Sequence, residues 1–285
     1  MRVRVAAIEP RTWTLDPRGA ARGRMSRTSL IVTVRGEDGR AGHGEAAPLA
    51  DFSPDTLADA RLALEAFTAV DVASYDDVVR VTESITAPSA RFALETALLD
   101  LLSHGRIADV LPVVDVITSP PSTMVVEGES VPDAPVLKLK VGPELALDRI
   151  LAVHHARPEA RLRLDANRTI PREHVRGYLF ALGELPVDYI EEPCVDAVDL
   201  LDEPLPCPIA LDESLVTLSP AALDRALASA GLAALVLKPT VLGGFARCLA
   251  LAGRGVPVVV THALEGDIGR AAVEQLRVAL EGARR

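Results

Sequence analysis

The chain has 285 residues, 49% hydrophobic and 25% charged, enough to bury a substantial core in one large domain or two modest ones. Its net charge of −10 supplies no basic field for a phosphate backbone, so nucleic acid is not an expected partner, and no apolar run approaches the roughly 18 residues that a bilayer span needs. Cys194, Cys207 and Cys248 are an odd number at unrelated spacings, and no basic-then-apolar leader opens the chain, so packing thiols in a reducing, cytoplasmic setting are expected.

In chain order, Met1 to Ile8 and Ser29 to Arg35 alternate apolar and polar residues as half-exposed antiparallel strands do. Glu37, Asp38 and Gly39 supply turn chemistry that joins Ser29–Arg35 to Gly42–Ala47 as a hairpin. Helical spacing follows over Pro54 to Ala69, Tyr75 to Thr86 and Ser89 to Ser103, with Ser53 and Ser89 as plausible caps. Residues 1–105 thus read as a small α+β domain. Pro17 to Arg27 carries Arg18, Arg22, Arg24 and Arg27, one of which could pair with a carboxylate of a substrate, the other reading being a solvated basic loop.

Residues 106–285 change to short apolar strands alternating with helical stretches. The predicted strands are Leu111–Ile117, Pro135–Val141, Arg161–Asp165, Val187–Glu191, Pro208–Asp212, Ala233–Lys238 and Val256–Thr261. Near-continuous apolar strands with helices between them imply a parallel sheet covered by helices, and the regular spacing implies a β/α barrel of the TIM type. Lys140, Asp165, Glu191, Asp212, Lys238 and His262 end successive strands at intervals of 25, 26, 21, 26 and 24 residues, one β/α unit per step. Strand C-termini of such barrels converge on one rim, where catalytic groups sit.

Three carboxylates in phase with that repeat, Asp165, Glu191 and Asp212, would repel one another unless a hard cation joined them. Oxygen donors completed by water suit Mg2+, with Mn2+ possible. A single acid at a strand end commonly caps a helix or meets water, but three in register flanked by lysines argue for a metal. Lys138 and Lys140, two apart, share a face, and a close pair of ammonium groups lowers the pKa of at least one and frees a neutral amine to act as a base. Lys238 would enter from the opposite side. Lysines bracketed by Leu137, Leu139, Val236 and Leu237 are costly to bury without a functional return.

The segments Leu137-Lys138-Leu139-Lys140, Leu162 to Arg168, Ile190-Glu191-Glu192-Pro193, Leu211-Asp212-Glu213-Ser214 and Leu237-Lys238-Pro239 resemble the enolase superfamily, in its muconate-lactonising branch. Gly42 to Leu49, Phe52 to Thr56, Asp165-Ala166-Asn167-Arg168 and Glu265 to Gly269 resemble one lineage of dehydratases within it. That resemblance implies Mg2+ on Asp165, Glu191 and Asp212, with Lys140 as the base that removes a proton alpha to a small carboxylate substrate. It further implies Lys138 tuning that base, Lys238 stabilising an enediolate, and Asn167, Glu192 and Glu213 orienting ligands and lysines. The general pattern of a lysine base with magnesium and an enediolate is a worked case of carboxylate chemistry in this superfamily. The implied reaction is loss of water to give an aromatic ring, and the first domain becomes a cap that sets specificity.

No eighth strand is legible after the helix expected over about Ile268 to Glu281, so the barrel must be open or closed in another way. Competing readings are an epimerase or racemase of the same superfamily, disfavoured by the lack of an acidic residue on an eighth strand, and an inactive barrel with a binding role. His262 has no settled part, and the sequence does not choose between monomer and homo-oligomer.

Overall fold

Alternating burial builds the first sheet. The computed structural model describes residues 1–15, 26–143 and 147–282. Strands β1 (Arg2–Thr14), β2 (Ser26–Gly36), β3 (Ala41–Ala46) and β4 (Val70–Asp71) form an antiparallel sheet in the order β3-β2-β1-β4. Leu30, Val32 and Val34 of β2 point to the core with no exposure. The expected hairpin is present, turned at Gly39 with φ +84°, a conformation glycine adopts without steric cost.

Three helices follow: α1 (Leu57–Glu65), α2 (Tyr75–Thr82) and α3 (Pro88–Ser103). Helices α1 and α2 end inside their predicted spans, and α3 begins one residue before its own, because local capping chemistry is stronger than the apolar period. Thr56, not Ser53, caps α1 through a capping box with Asp59, and Pro88 occupies the first turn of α3 while Ser89 instead donates to buried Asp55 at 2.6 Å.

The later strands are β5 (Thr123–Met124), β6 (Val136–Lys140), β7 (Arg161–Asp165), β8 (Val187–Glu191), β9 (Ile209–Leu211), β10 (Leu232–Leu237) and β11 (Val258–Val260). They form one seven-stranded parallel sheet in the order β11-β10-β9-β8-β7-β6-β5, alternating with helices α4 (Leu147–Ala156), α5 (Arg172–Leu182), α6 (Ser214–Thr217), α7 (Pro220–Leu227), α8 (Pro239–Leu242), α9 (Phe245–Ala252) and α10 (Asp267–Gly282). Six predicted strands are found within two residues of their bounds. Leu111–Ile117 is not a strand: Pro112 interrupts it, and Val113 is 85% exposed, so this apolar run is no buried strand.

Among the described residues no eighth strand follows β11. Instead Val258 donates to Ile117 O at 2.8 Å and receives a bond from Ser119 N at 2.9 Å, with Thr118 and Val258 in a parallel bridge. The stretch from Ile117 to Met124 therefore bonds to β11 at one end and, through β5, to β6 at the other. The ring closes on seven strands.

By contact the chain divides into two compact units: Met1–Val116 with Leu237–Gly255 and Val260–Arg285, and Ile117–Val236 with Val256–Val259. The pattern change near residue 105 and this division differ because helices late in the chain pack into the first unit. There, buried Glu95 of α3 accepts from Phe245 N at 2.6 Å at the start of α9, and buried Glu45 of β3 accepts from Gly266 N and Gly269 N at 2.9 and 2.8 Å at the start of α10.

Candidate active site at the strand ends

Register places the charged residues of the second unit side by side. Lys140 pairs with Asp165 across β6 and β7, and Asp165 pairs with Glu191 across β7 and β8. Two residues earlier, Lys138, Arg163 and Tyr189 form a parallel row on the same face. Asp212 follows the last residue of β9. The three carboxylates are 4, 2 and 3% exposed, in the order Asp165, Glu191, Asp212, so their charges are held away from water.

Lys138 answers part of that charge. Its ammonium lies 2.7 Å from Glu191 Oε2 and 2.9 Å from Asp165 Oδ2. Burial opposes the charged form, but Glu191 and Asp165 outweigh it and hold the Lys138 pKa well above that of an ordinary lysine. Lys138 is thus not the amine whose pKa the lysine pair lowers, because its nearest groups are carboxylates rather than a second ammonium. Lys140, on the exposed rim, donates to Asn167 Oδ1 at 2.8 Å. Asn167 in turn donates its backbone N–H to Asp165 Oδ1 at 3.2 Å from a left-handed conformation with φ +43°.

Glu192, fully buried, stitches three strand ends together. Its Oε1 accepts from Asp212 N and Ser214 N, each at 2.8 Å, and its Oε2 accepts from Ser214 Oγ at 2.9 Å and Arg168 Nε at 2.9 Å. Arg168 Nη2 also donates to Ser214 Oγ at 3.0 Å. Glu192 therefore fixes the backbone that carries Asp212 and the loop after β7. Glu213, half-buried, stands at the start of α6.

In the first unit, Lys238 directly follows β10, and its ammonium lies 4.5 Å from the centre of the Phe52 ring, a cation–π contact. His262 Nδ1 accepts from Leu264 N at 3.2 Å, which leaves the proton of the neutral ring on Nε2. Burial lowers the His262 pKa, Glu265 opposes this, and Arg270 and Lys238 add to it; the ring keeps a solvent-exposed edge that weakens all of these effects. Arg27 is 5% exposed and donates to Ala47 O at 2.6 Å and Ala263 O at 2.8 Å, so it holds backbone within the fold. Arg18, Arg22 and Arg24 lie outside the described residues.

Three buried carboxylates at neighbouring strand ends are an oxygen-only donor set, which suits Mg2+ or Mn2+. Among the described residues no three acidic, histidine or cysteine side chains close on one point as ligands do, since Asp165 and Glu191 close on Lys138 instead. Sequence reasoning missed Arg163, Arg168 and Ser214. Arg163 was legible as a charge two residues before Asp165, the same offset that singled out Lys138.

Comparison with known proteins accords with this geometry. Residues 124–285 match the family described as enolase C-terminal domain-like, and residues 20–101 match the MenC N-terminal domain. An o-succinylbenzoate synthase of Pectobacterium atrosepticum is 31% identical over 260 residues, spanning 86% of this chain and 76% of its relative. Among solved structures, an o-succinylbenzoate synthase from Thermosynechococcus elongatus BP-1 with Mg in its active site has a TM-score of 0.73 at 25% identity, covering 100% of this chain and 90% of its own. A dipeptide epimerase from Methylococcus capsulatus with Mg and L-Arg-D-Lys has a TM-score of 0.75 at 24% identity, covering 97 and 88%, and shows the fold alone. With its barrel matched to that family and its first domain to the MenC type, the chain belongs to the enolase superfamily and is similar to o-succinylbenzoate synthases.

Proposed function

We propose that the protein dehydrates 2-succinyl-6-hydroxy-2,4-cyclohexadiene-1-carboxylate to o-succinylbenzoate, the aromatic acid of menaquinone biosynthesis, in the cytoplasm. The observation that carries this reading is the in-register row Lys140, Asp165 and Glu191, with Lys140 at the exposed end, in a chain similar to o-succinylbenzoate synthases over both of its matched regions.

Asp165, Glu191 and Asp212 would hold Mg2+ or Mn2+, whose charge on the substrate carboxylate makes the neighbouring carbon acid strong enough for an amine. The Lys140 amine takes the C1 proton, and the C1–H electron pair passes into the carboxylate to give the enediolate. Lys238 would hold part of that charge. The enediolate then collapses, the new ring double bond forms between C1 and C6, and the C6–O bond breaks. The hydroxyl takes a proton from the Lys140 ammonium and leaves as water, which restores the amine. Asn167, bonded to Lys140 and to Asp165, would keep base and ligand in fixed relation.

The test is turnover of that substrate followed by ultraviolet absorbance, with and without Mg2+ and EDTA. The Lys140→Ala variant should lose a factor of about 10²–10⁴ in kcat, the usual worth of a positioned base. Folded, metal-loaded protein without turnover would discard this reading. The similarity in fold to dipeptide epimerases supports a second reading, proton exchange at an amino-acid α-carbon, for which incorporation of solvent deuterium into dipeptides is the assay.

A further inference from the structure

The ring closes at a weak point. Between Ser119, bonded to Val258, and Thr123, paired with Leu137, the chain reads Pro120-Pro121-Ser122, and its two prolines have no N–H to give to a ladder. At these two positions the splice offers only acceptors, where a strand would offer donors as well.

Arg163 of β7 meets that deficit. It is 1% exposed, and its guanidinium donates from Nη1 to Pro120 O at 2.7 Å and from Nη2 to Ser119 Oγ at 2.6 Å. An arginine carries five donors and no acceptor in a rigid fork, which suits two neighbouring acceptors, Pro120 O and Ser119 Oγ. Its charge is balanced locally. The register of β7 on β8 shifts between Leu162 and Arg163, where Asp188 is the additional residue of β8, and Arg163 Nε reaches Asp188 Oδ2 at 3.3 Å. The guanidinium also lies 5.3 Å from the centre of the Tyr189 ring. Across the same face Arg163 is the register partner of Lys138 and Tyr189, and two residues on along its own strand stands Asp165.

We infer that Arg163 is a positioning residue that closes the seven-stranded ring on the Ser119-Pro120 splice and thereby holds the ends of β6, β7 and β8 in the register that lines up Lys140, Asp165 and Glu191. The inference goes beyond the proposed reaction, since any chemistry at these strand ends needs the same register.

Site-resolved amide hydrogen exchange on the full chain tests it, with Arg163→Met, Arg163→Lys and Ser119→Ala. The two amides that close the ring, Ser119 and Val258, report on the splice. In R163M they should exchange at least tenfold faster while Leu30 in β2 is unchanged, and calorimetric Mg2+ affinity should fall tenfold or more. R163K, which reaches one acceptor rather than two, should fall between R163M and the unaltered chain, and S119A should show a smaller rise at the same two amides. Folded R163M with unchanged exchange at Ser119 and Val258 overturns the proposal. So does faster exchange with unaltered Mg2+ affinity, since Arg163 would then hold the splice without positioning the ligands. If R163M does not fold, R163K and S119A decide, and no change in either overturns it. An unaltered chain that binds no Mg2+ would sink the proposed reaction instead, and the exchange arm alone would then settle Arg163.

Discussion

Glu192 shows how one side chain can organise a site without needing to touch a substrate. Four donors converge on its carboxylate, two of them the backbone amides of Asp212 and Ser214. Replacing it with alanine would strand the Arg168 guanidinium, which is 30% exposed, and bury two amides unpaired. Glu192→Ala should therefore destabilise the protein by about 3–5 kcal/mol, the range for breaking a buried pair, measured by urea unfolding. A loss under about 1 kcal/mol would show that water replaces the network. His262 is a second residue whose environment makes a directional prediction. Its folded pKa is depressed mainly by burial, so below its ordinary value near 6.5 the unfolded chain binds the proton more readily, and stability falls as pH drops through that range. His262→Asn should remove this part of the dependence, so melting temperatures of the two proteins should converge as pH falls from 7 towards 5. Parallel curves would refute the assignment.

The elements of the first unit are fitted at backbone distance. A Cβ on Gly44 would lie 1.9 Å from Ala93 O, and one on Gly42 would lie 2.1 Å from Ala97 O, so β3 rests directly on the backbone of α3. Gly44→Ala must push strand from helix, and a cost of about 3 kcal/mol is expected, at the upper end for overpacking. In a chain of this size that corresponds to a fall of about 6–12 °C in Tm, readable by calorimetry. Elements also explain where sequence reading succeeded. Arg161–Asp165 and Val187–Glu191 match residue for residue, because buried Leu162, Leu164 and Ile190 mark the strands and the acids Asp165 and Glu191 mark their ends. Helix ends were less legible. Thr56 and Pro88 set the starts of α1 and α3 by local hydrogen bonding and ring geometry, which an apolar period does not register, whereas the start of α2 at Tyr75 was read correctly. Leu111–Ile117 failed for a related reason, since an apolar run does not say whether a partner strand exists.

At the scale of the whole molecule, the second unit buries Asp165, Glu191 and Asp212 at neighbouring strand ends, and a bound cation should raise stability. Saturating Mg2+ at 100 times its Kd contributes about 2.7 kcal/mol by linkage, which should appear as a rise of roughly 5–10 °C in Tm. EDTA should reverse the rise, and Asp165→Asn and Glu191→Gln should abolish it. A Tm independent of Mg2+ in the unaltered chain would remove the metal from the site. No helix among the described residues is long and apolar enough to cross a membrane, and none of the three cysteines forms a disulfide, so noncovalent packing and charge pairing carry the fold.

The sequence by itself determined the succession of the strands, the interval between their charged ends and the placing of Lys140, Asp165, Glu191, Asp212 and Lys238 at those ends, because these follow from periodicity and from the cost of burying charge. Only the tertiary structure decided that Lys138 sits between Asp165 and Glu191, that Glu192 ties three strand ends together, that Arg27 is buried among carbonyl groups, and that the seven-stranded ring closes through Ile117–Ser119 and Arg163. Each of these joins residues far apart in the chain, with Ser119 and Val258 139 positions apart, and no local pattern records which distant donor meets which acceptor.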